Sequence, residues 1–169
     1  MSSFVNKFDK PHIPVLNYEV GKKTEMFNAV LSLDTHEILR CNLMYKIPFT
    51  IFDDDENSLI HILLNSPTKS SESSKLSVIR FLINNGVNPD KPNKYNVTPL
   101  HIACQQQLYK IVKYLLENYA NPNFTDNMGL NAFHYLLSGN ILPVQSKEPA
   151  KILFLLVVML MKIKKDKKN

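Results

Sequence analysis

A four-residue helix opening recurs three times along this chain, and it restricts the fold more than any other feature. Thr98-Pro99-Leu100-His101 is the fullest copy; Ser58-Leu59-Ile60-His61 precedes it and Asn131-Ala132-Phe133-His134 follows. The later two histidines stand 33 residues apart and the earlier two 40. Each copy places Ser, Thr or Asn where a side-chain oxygen can accept a hydrogen bond from an unpaired N–H of the first helical turn. Pro99 then occupies the first helical position, where its fixed φ fits and its missing N–H costs nothing. The histidine falls in the first turn, placed to hydrogen-bond around that turn and to tie one unit to the next.

The second half of each unit also repeats. Val78-Ile79-Arg80-Phe81-Leu82-Ile83 matches Ile111-Val112-Lys113-Tyr114-Leu115-Leu116, with apolar residues at helical spacing. Gly86 supplies a left-handed residue that ends a helix at little cost. Tyr119 holds the same place one unit later, so a strained left-handed Tyr is expected there, with Asn118 as the alternative. Asp126-Asn127-Met128-Gly129 forms a D-x-x-G turn ahead of its helix, and Asp53/Glu56 and Asn93/Asn96 stand at the matching places upstream.

A period near 33 residues with T-P-L-H opening a helix resembles the ankyrin repeat. The resemblance covers roughly residues 50–160. It implies an all-α solenoid of stacked helix-turn-helix units with projecting fingers, each unit burying its neighbour's apolar face. The expected division is an arm at 1–22, a degenerate helical cap at 23–50, three units at about 53–90, 91–125 and 126–161, and a Lys-rich tail at 162–169. The resemblance implies a non-enzymatic module that binds a protein on the concave face of fingers and inner helices. Candidate contacts there are Asp53, Asp54, Lys94, Tyr95, Gln105, Gln106, Asn127 and Met128, with Tyr95 the leading one because aromatic residues dominate interface hot spots. Such proteins abound in large DNA viruses and host-associated microbes, and the Asn, Lys, Ile and Leu bias of this chain suits an AT-rich source.

Charge adds little. The net charge is +5, but +4 of it lies in the last eight residues, where Lys162, Lys164, Lys165, Lys167 and Lys168 meet one Asp166. A nucleic-acid surface spreads its basic residues over a face, so no nucleic-acid partner is expected. Cys41 and Cys104 form neither a metal pair nor a disulfide framework, which points to a reducing, intracellular setting, cytoplasmic or nuclear, and to the host cell if the source is viral. The three motif histidines are explained by the repeat, no phosphate loop or EF-hand spacing occurs, and no cofactor, metal or catalytic residue is expected.

Two stretches depart from the repeat. Ser66 to Ser74 lengthens the first unit, and its polar composition predicts a mobile loop; a second insertion lies near Asn140 to Pro149. Ile152 to Met161 is uninterruptedly apolar, about 15 Å as a helix, which is half a bilayer core. No transmembrane span is expected. Leu153, Leu156, Val157 and Leu160 are instead expected at the surface as a self-association stripe, which supports an alternative role as a structural subunit of a larger, viral assembly.

Overall fold

A computed structural model of the protein describes residues 15–67, 70–139 and 148–166, with side chains placed for 21–67, 70–139 and 149–158. Among the described residues eight helices follow one another: α1 (Val15–Leu31), α2 (Thr35–Tyr45), α3 (Leu59–Asn65), α4 (Glu72–Asn84), α5 (Pro99–Gln105), α6 (Tyr109–Glu117), α7 (Ala132–Ser138) and α8 (Glu148–Asp166). They form antiparallel pairs stacked in two layers. The inner layer packs α1 on α3, α3 on α5 and α5 on α7; the outer layer packs α4 on α6 and α6 on α8. Leu59, Leu63, Ile79, Leu82, Leu100, Ile111, Leu115 and Ile152 are fully buried between the layers. At about 1.5–3 kcal/mol for each fully buried Leu or Ile, this continuous seam is the main favourable term.

Helix boundaries follow local chemistry where the chain supplies it. Ser58, Thr98 and Asn131 each cap their helix in a reciprocal box with His61, His101 and His134 three residues on. Asp34 caps α2, its carboxylate accepting from the His36 and Glu37 N–H groups at 2.9 and 3.3 Å. α1 begins at Val15, inside the stretch read as an arm. No proline interrupts Val15 to Leu31, and Met26, Ala29 and Val30 give the helix a buried face that its polar residues obscure. At the other end α8 runs on through Asp166, past the expected tail boundary at 162.

The end of the serine-rich insertion is helical where its composition predicts a loop. Ser71 caps α4, accepting from Ser74 N–H at 3.1 Å, so Glu72, Ser73 and Ser74 are helical. Glu72 has a second task. Its Oε1 accepts from the Lys110 and Ile111 N–H groups at 2.6 and 3.2 Å. It thereby caps α6 from the preceding unit, where Leu108 at the N-cap has no side-chain oxygen to do so. Thr68 and Lys69, and residues 140–147 of the second insertion, lie outside the described residues.

Outer helices α4 and α6 end identically. Gly86 (φ +88°) and Tyr119 (φ +66°) are left-handed. Val87 N–H bonds Leu82 C=O at 3.1 Å, and Ala120 N–H bonds Leu115 C=O at 3.0 Å, which is the Schellman arrangement. Asn118 has φ −100°, so Tyr119 carries the strain. Its ring is 93% exposed and loses no packing if removed. Tyr119→Gly is expected to raise stability by about 1 kcal/mol, the left-handed penalty less the added unfolded-state entropy of glycine. A urea midpoint unchanged or lowered by this substitution would count against that strain.

Candidate partner-binding face

Three fingers precede α3, α5 and α7, and one turn chemistry builds all of them. Asp53 Oδ1 accepts from Asp55 and Asn57 N–H at 2.9 and 2.8 Å. Asn93 Oδ1 accepts from Tyr95 and Val97 N–H, both at 3.0 Å. Asp126 Oδ1 accepts from Met128 and Leu130 N–H, both at 2.8 Å. The fourth residue of each turn is left-handed: Glu56 (φ +59°), Asn96 (φ +58°) and Gly129 (φ +78°). Glycine is the ordinary residue there, yet the carboxylate or amide at the first position holds the turn without it.

Hydrogen bonds join finger to finger. Lys94 N–H donates to Asp55 C=O at 3.0 Å, and Asn127 N–H donates to Tyr95 C=O at 3.1 Å. Asn93 Nδ2 donates to Asn57 Oδ1 at 2.9 Å, and Asn96 Nδ2 to Asn127 Oδ1 at 2.7 Å. The Lys94 ammonium pairs with the Asp55 carboxylate and lies 5.1 Å from the Tyr95 ring centroid. This ladder leaves Asp54 and Asn127 exposed, with Tyr95 at 50% and Met128 at 80% exposure.

The histidines anchor the fingers to the helices. His61 Nε2 meets Val97 C=O at 2.9 Å in the following unit, and His101 Nε2 meets Phe124 C=O at 2.9 Å near the end of its own. Their Nδ1 atoms accept from the N–H groups of Ser58 and Thr98 at 3.2 and 2.9 Å. A neutral ring protonated at Nε2 satisfies both sets. Burial pushes the His61 pKa down to about 4, against a smaller upward pull from the Val97 carbonyl, and burial lowers His101 in the same way. Both rings are therefore structural couplers. His134 keeps its capping box with Asn131 but meets no following carbonyl among the described residues. Burial lifts the Cys104 thiol to about 12, which leaves it an unreactive packing group.

The expected contact residues divide into two groups. Asp54, Lys94, Tyr95, Asn127 and Met128 share the finger edge. Asp53 lies there too, but its carboxylate is committed to its own turn, accepting also from Asn57 Nδ2 at 3.0 Å. Gln105 and Gln106 lie at the far end of α5, about 10 Å along the helix from its capped start. Gln105 is exposed, while Gln106 Nε2 donates to Leu64 C=O at 2.8 Å and bridges α5 to α3. Phe52 escaped the sequence reading; it is 44% exposed at the base of the first finger with Lys91 Nζ 5.0 Å from its ring.

On α8 the expected outward stripe needs correction. Leu153 and Val157 are 37% and 38% exposed, but Leu156 is buried, because it takes the core position that Leu115 holds in α6. The side chain of Leu160 lies outside the described residues. The most exposed large hydrophobic residues on the described part of α8 are Phe154 at 68% and Val158 at 43%. Among the described residues no cluster of His, Cys, Asp and Glu gathers as a metal site, and no helix is long and apolar enough to cross a membrane.

Paired helices in two layers, fingers bonded edge to edge and histidine-capped inner helices define an ankyrin stack. The family description "Ankyrin repeats (3 copies)" matches residues 27–126 and 68–147, and the chain belongs to that family. Ankyrin repeats as a class mediate protein–protein contacts. Among relatives, an ankyrin repeat protein of variola virus, OPG189, is 29% identical over 128 residues, 74% of this chain and 23% of the relative. An ankyrin repeat protein of fowlpox virus, FPV230, is 40% identical over 75 residues, 44% of this chain and 39% of the relative. The palmitoyltransferase AKR1 of Lachancea kluyveri is 40% identical over 77 residues, 44% of this chain and 10% of the relative. The chain thus spans well under half the length of these relatives.

Proposed function

We propose that the chain is a protein-binding module with no catalytic activity of its own, and that its partner docks along the finger edge and the inner-helix face. It acts inside the cell, in cytoplasm or nucleus, and in a host cell if its source is viral, as the variola and fowlpox relatives suggest. The observation that carries this reading is the finger ladder. It holds Tyr95 and Met128 outward on backbone that is already hydrogen-bonded. A pre-ordered surface loses little entropy on binding, and an exposed Tyr beside an exposed Met offers a suitable anchor. The inward-reaching carboxylate of Asp53 and the bonded Gln106 amide are supports of this surface; Asp54, Lys94, Tyr95, Asn127, Met128 and Gln105 form its contact set.

The test compares the full chain with a Tyr95→Ala, Met128→Ala, Gln105→Ala variant as bait in extracts of the native host, read by quantitative mass spectrometry. One captured protein is expected to fall by about tenfold or more with the variant, while circular dichroism is unchanged. Equal capture of every protein by both baits would remove the finger edge from the binding site. A second reading, a structural subunit of a larger assembly, is favoured by the exposure of Leu153 and Val157. Light scattering that shows a concentrated monomer would count against it.

A further inference from the structure

The outer helices align residue by residue, and the alignment separates two kinds of exposed residue on α8. Val78, Ile111 and Ile152 occupy one buried position, and Leu82, Leu115 and Leu156 another. Val112 and Leu116 of α6 are buried, whereas their α8 counterparts Leu153 and Val157 are partly exposed. Another helical pair stacked on this end would cover those two. Phe154 and Val158 differ. Their counterparts are Arg80 and Asn84 in α4 and Lys113 and Glu117 in α6, all exposed. These positions face water on the convex side of every unit, so no continuation of the stack reaches them.

In the sequence, the same helical spacing leads to lysines on both sides of the apolar pair. Lys151, Phe154, Val158, Lys162 and Lys165 follow one another at helical spacings of three and four along α8. Lys151 is exposed, with its ammonium 5.4 Å from the Tyr109 ring. Lys164 adds charge close by, and the acidic residues of α8 stand at its two ends, Glu148 and Asp166.

We propose that this convex stripe of α8 docks the protein on an anionic lipid bilayer surface, with Phe154 and Val158 entering the headgroup boundary and the flanking lysines held to the lipid phosphates and carboxylates. An apolar strip bordered by lysines on an otherwise docked helix matches the chemistry of an interfacial helix. Lysines within a Debye length of an anionic leaflet are attracted to it. A second copy fits less well. The stripe offers two exposed apolar residues, Phe154 and Val158, whereas a standard interface takes about 20–30 residues a side. The lysine clusters of two copies paired with their stripes parallel would also repel.

Sedimentation of the full chain with vesicles of phosphatidylcholine, alone or mixed with phosphatidylserine, tests this. Binding is expected to be about tenfold stronger to the mixed vesicles and to weaken steeply with added salt. Phe154→Gln with Val158→Gln, and separately Lys162→Glu with Lys165→Glu, should each abolish most of it. Helicity should persist in the first pair, because polar side chains already fill those positions in α4 and α6. The finger variant should bind vesicles as the unaltered chain does, which keeps this result distinct from partner capture. A chain left in the supernatant with mixed vesicles, equal binding to neutral vesicles, or a dimer that occludes Phe154 and ignores lipid would each overturn the proposal.

Discussion

Acidification from pH 7 to pH 4 is expected to remove about 3 kcal/mol of folding stability through His61 alone. The ring is fully buried and neutral, with Nδ1 accepting from Ser58 N–H and Nε2 donating to Val97 C=O. A second proton would set Nδ1–H against the Ser58 N–H at 3.2 Å and place a charge in a fully buried site. The folded-state pKa is pushed down to about 4, mainly by burial, and the unfolded value is near 6.5. The folded state therefore binds the proton less well than the unfolded one. The stabilisation is complete above about pH 6.5 and is lost as pH falls towards 4. His101, lowered by the same cause, adds to the slope. Against the typical 5–15 kcal/mol of a whole domain this is a large fraction. Urea titrations between pH 6.5 and 5, above the range of ordinary carboxylates, isolate the histidine contribution. A flat profile there would mean the rings are protonated at no cost in the folded protein. His61→Gln should flatten the profile while lowering stability at pH 7.

The histidines also show what the sequence could reveal. Capping boxes, the left-handed residues at 86 and 119 and the finger turns are built from residues within five of one another, so their chemistry is present in the linear order. The Glu72 carboxylate caps a helix whose first N–H partner lies 38 residues away, and no local pattern announces that. Composition therefore missed the helical start at Glu72 within the serine-rich segment. Asp53 was legible as a finger residue, but whether its carboxylate faces a partner or its own backbone depends on a turn geometry seen in three dimensions. On α8, uniform apolarity erased the helical periodicity that normally separates inside from outside. Placing Phe154 opposite Arg80 and Lys113 through the repeat would have recovered the outward side, because those charged residues mark it in the other units.

Gly139→Ala is expected to destabilise the stack by about 2–3 kcal/mol, at the upper end of ordinary overpacking. Gly139 follows α7 with φ −59° and ψ 152°, a conformation open to any residue, so backbone freedom does not explain it. Contact does. A Cβ at this position would lie 2.3 Å from the Gln105 carbonyl oxygen and 3.2 Å from its carbon. Both are backbone atoms and cannot swing aside as a flexible side chain would. Glycine lets the end of α7 rest directly on the end of α5, and any side chain must push the two inner helices apart. That separation reaches the proposed binding face, because the same two helices carry the fingers that present Tyr95 and Met128. Gly21 offers the opposite case. It lies within α1, and a methyl group added there would meet nothing within 4 Å, so Gly21→Ala should stabilise by about 0.5–1 kcal/mol through helix propensity. Thermal unfolding of the two single variants checks both signs. A chain of this length shifts by about 2–4 °C per kcal/mol, so Gly139→Ala should melt roughly 4–12 °C lower. It should also capture less partner than the unaltered chain well below its own melting temperature. A Gly139→Ala protein as stable as the original would show that α5 and α7 separate at no cost, and that their close approach does not hold the fingers in place.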